Sequence, residues 1–217
     1  MAPSTLLSRT GATAAFLVVL LASAASSAAP ARYVISAKDS KLAYSMEHPM
    51  HSWSGASQQV TGEVALDAQL QSATVGMALP VLSFDSGNGN RDSHMAEVVE
   101  SYIYADVEFH STEAHLDSTA ATPDGGTRSV WTVKGTLSFH GVDRPLECPV
   151  QVTLQGDQML AHGSFAIKLT EFGLELPGLL GIRVKDEIQL VFDVTALHQG
   201  EPDNKGKSRS PERLLPA

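Results

Sequence analysis

A chain of 217 residues, 43% of them hydrophobic, can bury one sizeable core and reads as one main domain. Its formal net charge of −9 repels phosphate backbones and argues against nucleic acid as a partner. Cys148 is the single cysteine, which excludes an intramolecular disulfide and leaves no thiol near the N-terminus for a lipid anchor.

The first 31 residues stand apart from the rest of the chain. Arg9 is the only charge before Arg32, and 11–25 (GATAAFLVVLLASAA) is a short apolar run that ends in small residues. This pattern reads as a secretory signal peptide over 1–31, and both Ala22-Ser23-Ala24 and Ala29-Pro30-Ala31 fit its small-residue exit. The run is shorter than the roughly 20 apolar residues that span a bilayer, so no permanent membrane anchor is expected. The expected location after cleavage is the periplasm or the exterior.

From 33 onward the chain alternates. Leu42, Tyr44 and Met46 share one face of a first strand over 33–46, and 48–57 (HPMHSWSGAS) reads as a turn region. Val60, Gly62, Val64 and Leu66 then face inward, followed by Ala73, Val75, Met77, Leu79 and Val81. Over 82–109 a strand-like run breaks into a Gly/Asn-rich turn, a helix of about ten residues and another strand. Asn90 is the expected N-cap, Asp92 suits the positive end of the helix dipole, and Met95, Val98 and Val99 form one apolar stripe. This helix is expected to cover an opening, with Arg91, Asp92 and His94 at its lip.

The turn at 123–126 (PDGG) introduces a strand with Trp131, Val133, Gly135, Leu137 and Phe139 on one side. A short turn at 140–143 leads into the returning strand, where Leu146, Cys148, Val150, Val152 and Leu154 face inward. Gly163, Phe165, Ile167 and Leu169 mark the next strand, and Ile188, Leu190, Phe192, Val194 and Ala196 the last. Pro80 and Pro149 cannot donate ladder hydrogen bonds and suggest a bulge or a splayed opening in the wall. Residues 198–217, rich in Pro, Gly, Ser and charge, read as a disordered polar tail.

About eight strands with short connections and one helix predict an all-β fold, an extended eight-stranded antiparallel up-and-down barrel over 32–197 with one short helix capping an opening. A barrel of eight strands either fills its interior or holds one small ligand. The inward set mixes Trp131, Phe139, Phe165 and Phe192 with small Gly135 and Gly163, and it contains no ionisable side chain at a well-defined strand position. The expected guest is therefore hydrophobic or amphiphilic, held by those six residues, with Arg91, Asp92 and His94 near its polar end.

Competing chemistry is less well supported. His48, His51 and His94 supply imidazoles, yet their spacing fits no stereotyped metal motif. No nucleophile elbow, phosphate loop or zinc signature appears, so no catalytic residue, metal or cofactor is expected. Oligomeric state is not readable, and a homodimer stays open.

Four segments together carry a resemblance: NRDSHM at 90–95, GTLSFHGVDRP at 135–145, EFGL at 171–174 and VKDEIQLVFDVTA at 184–196. Their order and spacing resemble the YceI-like family over about 33–197. The resemblance implies an exported bacterial, lipocalin-like barrel with a long apolar tunnel, whose ligands are polyisoprenoid chains, isoprenoid quinones, polyprenyl phosphates or related amphiphiles. Two departures stand out. Tyr104-Ala105 occupies a position where the family usually has Tyr-Pro, and the first turn, with His48, His51 and Trp53, is more polar and aromatic than the common pattern. An exported enzyme acting on an amphiphile through the three histidines, or a stress-linked structural domain with a filled barrel, are the alternatives.

Overall fold

The computed structural model describes residues 29–48, 51–69, 71–176, 178–179 and 182–200. Residues 1–28 of the expected signal and 201–217 of the expected tail lie outside the described residues.

Alternating apolar positions become strands that bury one face each. In chain order these are β1 (Ala31–Ile35), β2 (Lys41–His48), β3 (His51–Ser57), β4 (Thr61–Asp67) and β5 (Ser72–Pro80), then helix α1 (Gly89–Val98). After it come β6 (Asp106–Ala121), β7 (Thr127–Phe139), β8 (Val142–Gln155), β9 (Gln158–Lys168), the two-residue β10 (Gly178–Leu179) and β11 (Ile182–Arg183), and β12 (Glu187–Gln199). The sheet runs β1-β4-β5-β6-β7-β8-β9-β12 and closes where β1 pairs with β12. This is the expected eight-stranded antiparallel barrel with one helix. Closure leaves those staves no free edge, and the apolar faces of all eight meet in one lumen.

The first stave is broken, where unbroken alternation predicts one strand. β12 pairs with β1 at Ile35↔Ala196 and with β2 at Lys41↔Asp193, and a 3-10 turn over Ala37–Asp39 lies between them. Ser40 heals the gap: its buried hydroxyl accepts the Thr195 N–H at 3.1 Å and donates to the Thr195 carbonyl at 3.3 Å. Beyond the break the two halves take different partners, since β1 pairs with β4 whereas β2 pairs with β3.

β3 is itself a correction, because 48–57 was expected to be turn. Pairing from Leu42↔Ser57 to His48↔His51 makes most of that segment strand. Its Ser and Gly content reads as turn chemistry, but Gly55 and Ser57 are buried, where a small residue is needed beneath neighbouring side chains. On its outer side β3 makes an isolated bridge, Ala56↔Asp85, and the α1 segment continues from there.

The helix cap also moves. Asn88, not Asn90, is the N-cap: its backbone is extended and its side chain accepts from the N–H groups of Asn90 and Arg91 at 3.1 and 3.2 Å. Asn90 already lies within the first turn, and Asp92 falls there as expected.

The wall is irregular in two places. Register shifts on β6 occur against β5 between Ser72 and Gly76, and against β7 at Ser111/Glu113 and Leu116/Ser118. β8 pairs with β9 only from Val150 to Gln155, so the two part at Pro149. The Cys148 thiol donates to the Ser164 carbonyl at 3.3 Å across the parting. β12 runs two residues into the segment expected to be tail, with His198 and Gln199 paired to Tyr33 and Arg32. Among the described residues no helix is long and apolar enough to cross a membrane.

Candidate functional site

The alternation on each stave produces an apolar lumen with a volume of about 220 Å³. It runs the length of the barrel: on β12 alone, Ile188, Leu190, Phe192, Val194 and Ala196 line it, roughly 25 Å of strand. Met95 of α1 and its C-cap Val99 lie at one end, and Leu66, Ala73, Leu154 and Met159 belong to the other. Met46, Met77, Met95 and Met159 all line the space, which gives the wall flexible, polarisable thioethers.

Polar groups at the lumen are few. Ser129 accepts the Trp131 indole N–H at 2.8 Å, so both are satisfied. Cys148 donates to backbone carbonyls, and burial pushes its thiol pKa up, so it stays a thiol at neutral pH. Glu108 is an exposed position on β6 between the lumen residues Val107 and Phe109, with its carboxylate 3.6 Å from His110. Tyr44 faces inward from β2, and burial raises its pKa most, with Asp92 raising it further and Arg91 lowering it.

The residues singled out from the sequence divide into four groups. Trp131, Phe139, Phe165 and Phe192 line the lumen. Gly135 and Gly163 also face inward, but rings already occupy the space above them. A Cβ at Gly135 would stand 2.5 Å from the Phe109 ring, and one at Gly163 would stand 2.4 Å from the Phe192 ring. The glycines let those rings lie back against the wall.

Arg91 and Asp92 are brought together by Ser86. Arg91 donates from Nε to the Ser86 hydroxyl and from Nη2 to the Ser86 carbonyl, each at 2.9 Å. Asp92 accepts the Ser86 N–H at 3.2 Å and its hydroxyl at 2.5 Å. The Arg91 guanidinium also stands 5.9 Å from the centre of the Trp53 ring. His94 does not join them. It is exposed, 3.8 Å from Glu97, and borders a separate polar hollow with Glu100 and His140. His48, His51 and Trp53 form a stack with ring centres 5.1 and 5.2 Å apart. Among the described residues no three His, Cys, Asp or Glu side chains gather as a metal would require.

Sequence reasoning did not place Tyr44 in the site. Its signal was an aromatic at an inward strand position, and its partner across the strands, Gly55, was hidden inside the supposed turn. His140, which the sequence places in a hairpin turn with a structural role, ties the capped end together. Its Nδ1 donates to the Phe172 carbonyl at 2.9 Å, and its Nε2 is 3.2 Å from the Glu100 carboxylate just after α1. Tyr104 packs edge-on to it at 4.6 Å, and the Ala105 carbonyl accepts the Val81 N–H at 2.8 Å.

Solved structures share this architecture. BcnA of Burkholderia cenocepacia is 21% identical, with 74% of this chain and 98% of that one covered and a TM-score of 0.63. A polyisoprenoid binding domain from Saccharophagus degradans, implicated in plant cell wall breakdown, is 16% identical, with 77% and 98% covered and the same TM-score of 0.63. A YceI protein from Campylobacter jejuni is 16% identical, with 68% and 85% covered and a TM-score of 0.50. No curated protein matches the chain at comparable significance. The family model for the YceI-like domain matches residues 33–196, from β1 to near the end of β12. This chain belongs to the YceI-like family.

Proposed function

We propose that this protein is an exported carrier that holds a long apolar amphiphile, a polyisoprenoid or an isoprenoid quinone, with its chain in the barrel lumen. The observation that carries the reading is the apolar lumen itself, about 220 Å³ and lined from end to end by aliphatic, aromatic and methionine side chains. That volume lies below the roughly 300–1,000 Å³ of most small-molecule pockets, so the space suits a slender chain, and the four methionines supply the give that a longer guest needs. Export rests on the signal-like character of 1–31.

Binding is driven by desolvation. Each CH₂ moved from water into the lumen contributes about 0.8 kcal/mol, against an association cost of about 4 kcal/mol or more, so affinity grows with chain length. Trp131, Phe139, Phe165 and Phe192 touch the chain, and the polar end rests at the α1-capped end near Arg91 and Asp92. Carriage is favoured over catalysis because the lumen thiol, Cys148, donates to carbonyls and is bonded to no base among the described residues.

The test is mass spectrometry of organic extracts from protein purified from its native envelope. A near-stoichiometric isoprenoid chain, enriched over total envelope lipid, is expected. Extracts with no lipid enriched above that background would overturn the proposal.

A further inference from the structure

Two of the polar groups around the lumen have partners: Ser129 accepts the Trp131 indole and Cys148 donates to carbonyls. Tyr44 does not. It is only 6% exposed, and its hydroxyl makes no hydrogen bond to any described residue. Its ring lies across Gly55 on β3, where a Cβ would stand 2.6 Å from the ring and 2.8 Å from the hydroxyl oxygen, and edge-on to Phe84 at 5.4 Å. The oxygen itself is not sealed from solvent, so it is a hydrogen-bonding group at the lumen wall that no described protein group has taken and that a guest can reach.

The surroundings restrict what partner it takes. Arg91 and Asp92 are close enough to act on the Tyr44 hydroxyl in opposite directions, and both are bound to Ser86. Arg91 has already committed Nε and Nη2 to that serine and its face to Trp53. One cation and one anion on the same serine leave no net charge to welcome a phosphate, which would shed its water next to the Asp92 carboxylate. A phenol, by contrast, both donates and accepts, and it is neutral at physiological pH.

Building on the carrier reading, we propose that the Tyr44 hydroxyl is the hydrogen-bonding contact for the polar end of the lumen guest and selects an uncharged oxygen head, a hydroxyl or carbonyl, over a phosphate or carboxylate. Tyr44 then sets specificity while the lumen supplies affinity. A site built to hydrogen-bond an oxygen discriminates against the guest that lacks one, because the phenol is left unpaired.

The experiment titrates wild type and Tyr44→Phe with a C20 prenol, its monophosphate and a C20 hydrocarbon, and records the thermal unfolding midpoint of each empty protein. Wild type should bind the prenol more tightly than the monophosphate. Tyr44→Phe should lose about five- to tenfold in prenol affinity and change less than twofold for the hydrocarbon. Because the substitution removes an unpaired oxygen and keeps the ring, the midpoint of the empty variant should be unchanged or higher. Equal losses for prenol and hydrocarbon, or a lower midpoint, make Tyr44 part of the wall and overturn this proposal while the carrier reading stands. Tighter wild-type binding of the monophosphate than the prenol overturns the selection for neutral heads. If none of the three compounds binds wild type, both proposals fall.

Discussion

Phe192 can lie flat against the barrel wall because Gly163, beside it on β9, has no side chain. A Cβ there would meet the ring at 2.4 Å and the Pro149 carbonyl at 3.0 Å, so Gly163→Ala must push the ring into the lumen. It should cost about 1–3 kcal/mol in denaturant unfolding and lower guest affinity in titration. Adding Phe192→Leu should recover part of both, with a coupling of about 0.5–3 kcal/mol; additive effects would show that the two residues do not share the space. The sequence showed that Gly163 faces inward, but not that a ring had taken the room it leaves. Facing is set by period two, whereas the lean of a neighbouring ring depends on strand packing. Cys148 offers a second test at this scale. Its pKa is raised by burial, so the folded chain holds the thiol proton where the unfolded chain releases it. This contribution is complete below the ordinary thiol value of about 8.5 and is lost as pH rises above it. The urea midpoint of wild type should therefore fall between pH 8 and 10 by more than that of Cys148→Ala.

α1 covers one end of the barrel through a few identifiable bonds. Asn88 satisfies two free N–H groups at its start, and Asn88→Ala should lower global stability by about 1 kcal/mol in denaturant unfolding. His140 holds the other end. The Phe172 carbonyl can only accept, which fixes the proton on Nδ1 and turns Nε2 toward Glu100. His140→Ala leaves that carbonyl without its donor and removes the ring beneath Tyr104, for an expected cost of about 1–3 kcal/mol. Hydrogen exchange should locate the loss in 95–105, not in β12. The existence of the helix was legible from its apolar stripe after a Gly/Asn turn. Its cap was misplaced by two residues because Asn88 and Asn90 are equally good caps in composition, and only the extended backbone at Asn88 separates them. β3 was missed for a related reason: Ser and Gly signal turns, and here they are small residues beneath Tyr44 and beside Ser83.

At the scale of the whole molecule, the eight staves were legible because every inward face repeats with period two and short turns force antiparallel neighbours. The break between β1 and β2 was not, since both halves alternate in the same way and differ only in their partners, β4 and β3. That break lets β3 and α1 fold over one end, and so it creates the polar corner of Tyr44, Arg91 and Asp92 at the end of an otherwise apolar lumen. The central claim is that the lumen holds the apolar chain of a guest. Trp131 lines the lumen and Trp53 stacks outside it on His51, and these are the two tryptophans of the chain. Trp53→Phe leaves Trp131 as the sole reporter, so its emission during titration with a C20 prenol reads the lumen directly. A saturable change at one equivalent is predicted; prenol binding that leaves Trp131 emission unaltered, or no saturable binding at all, would contradict the account.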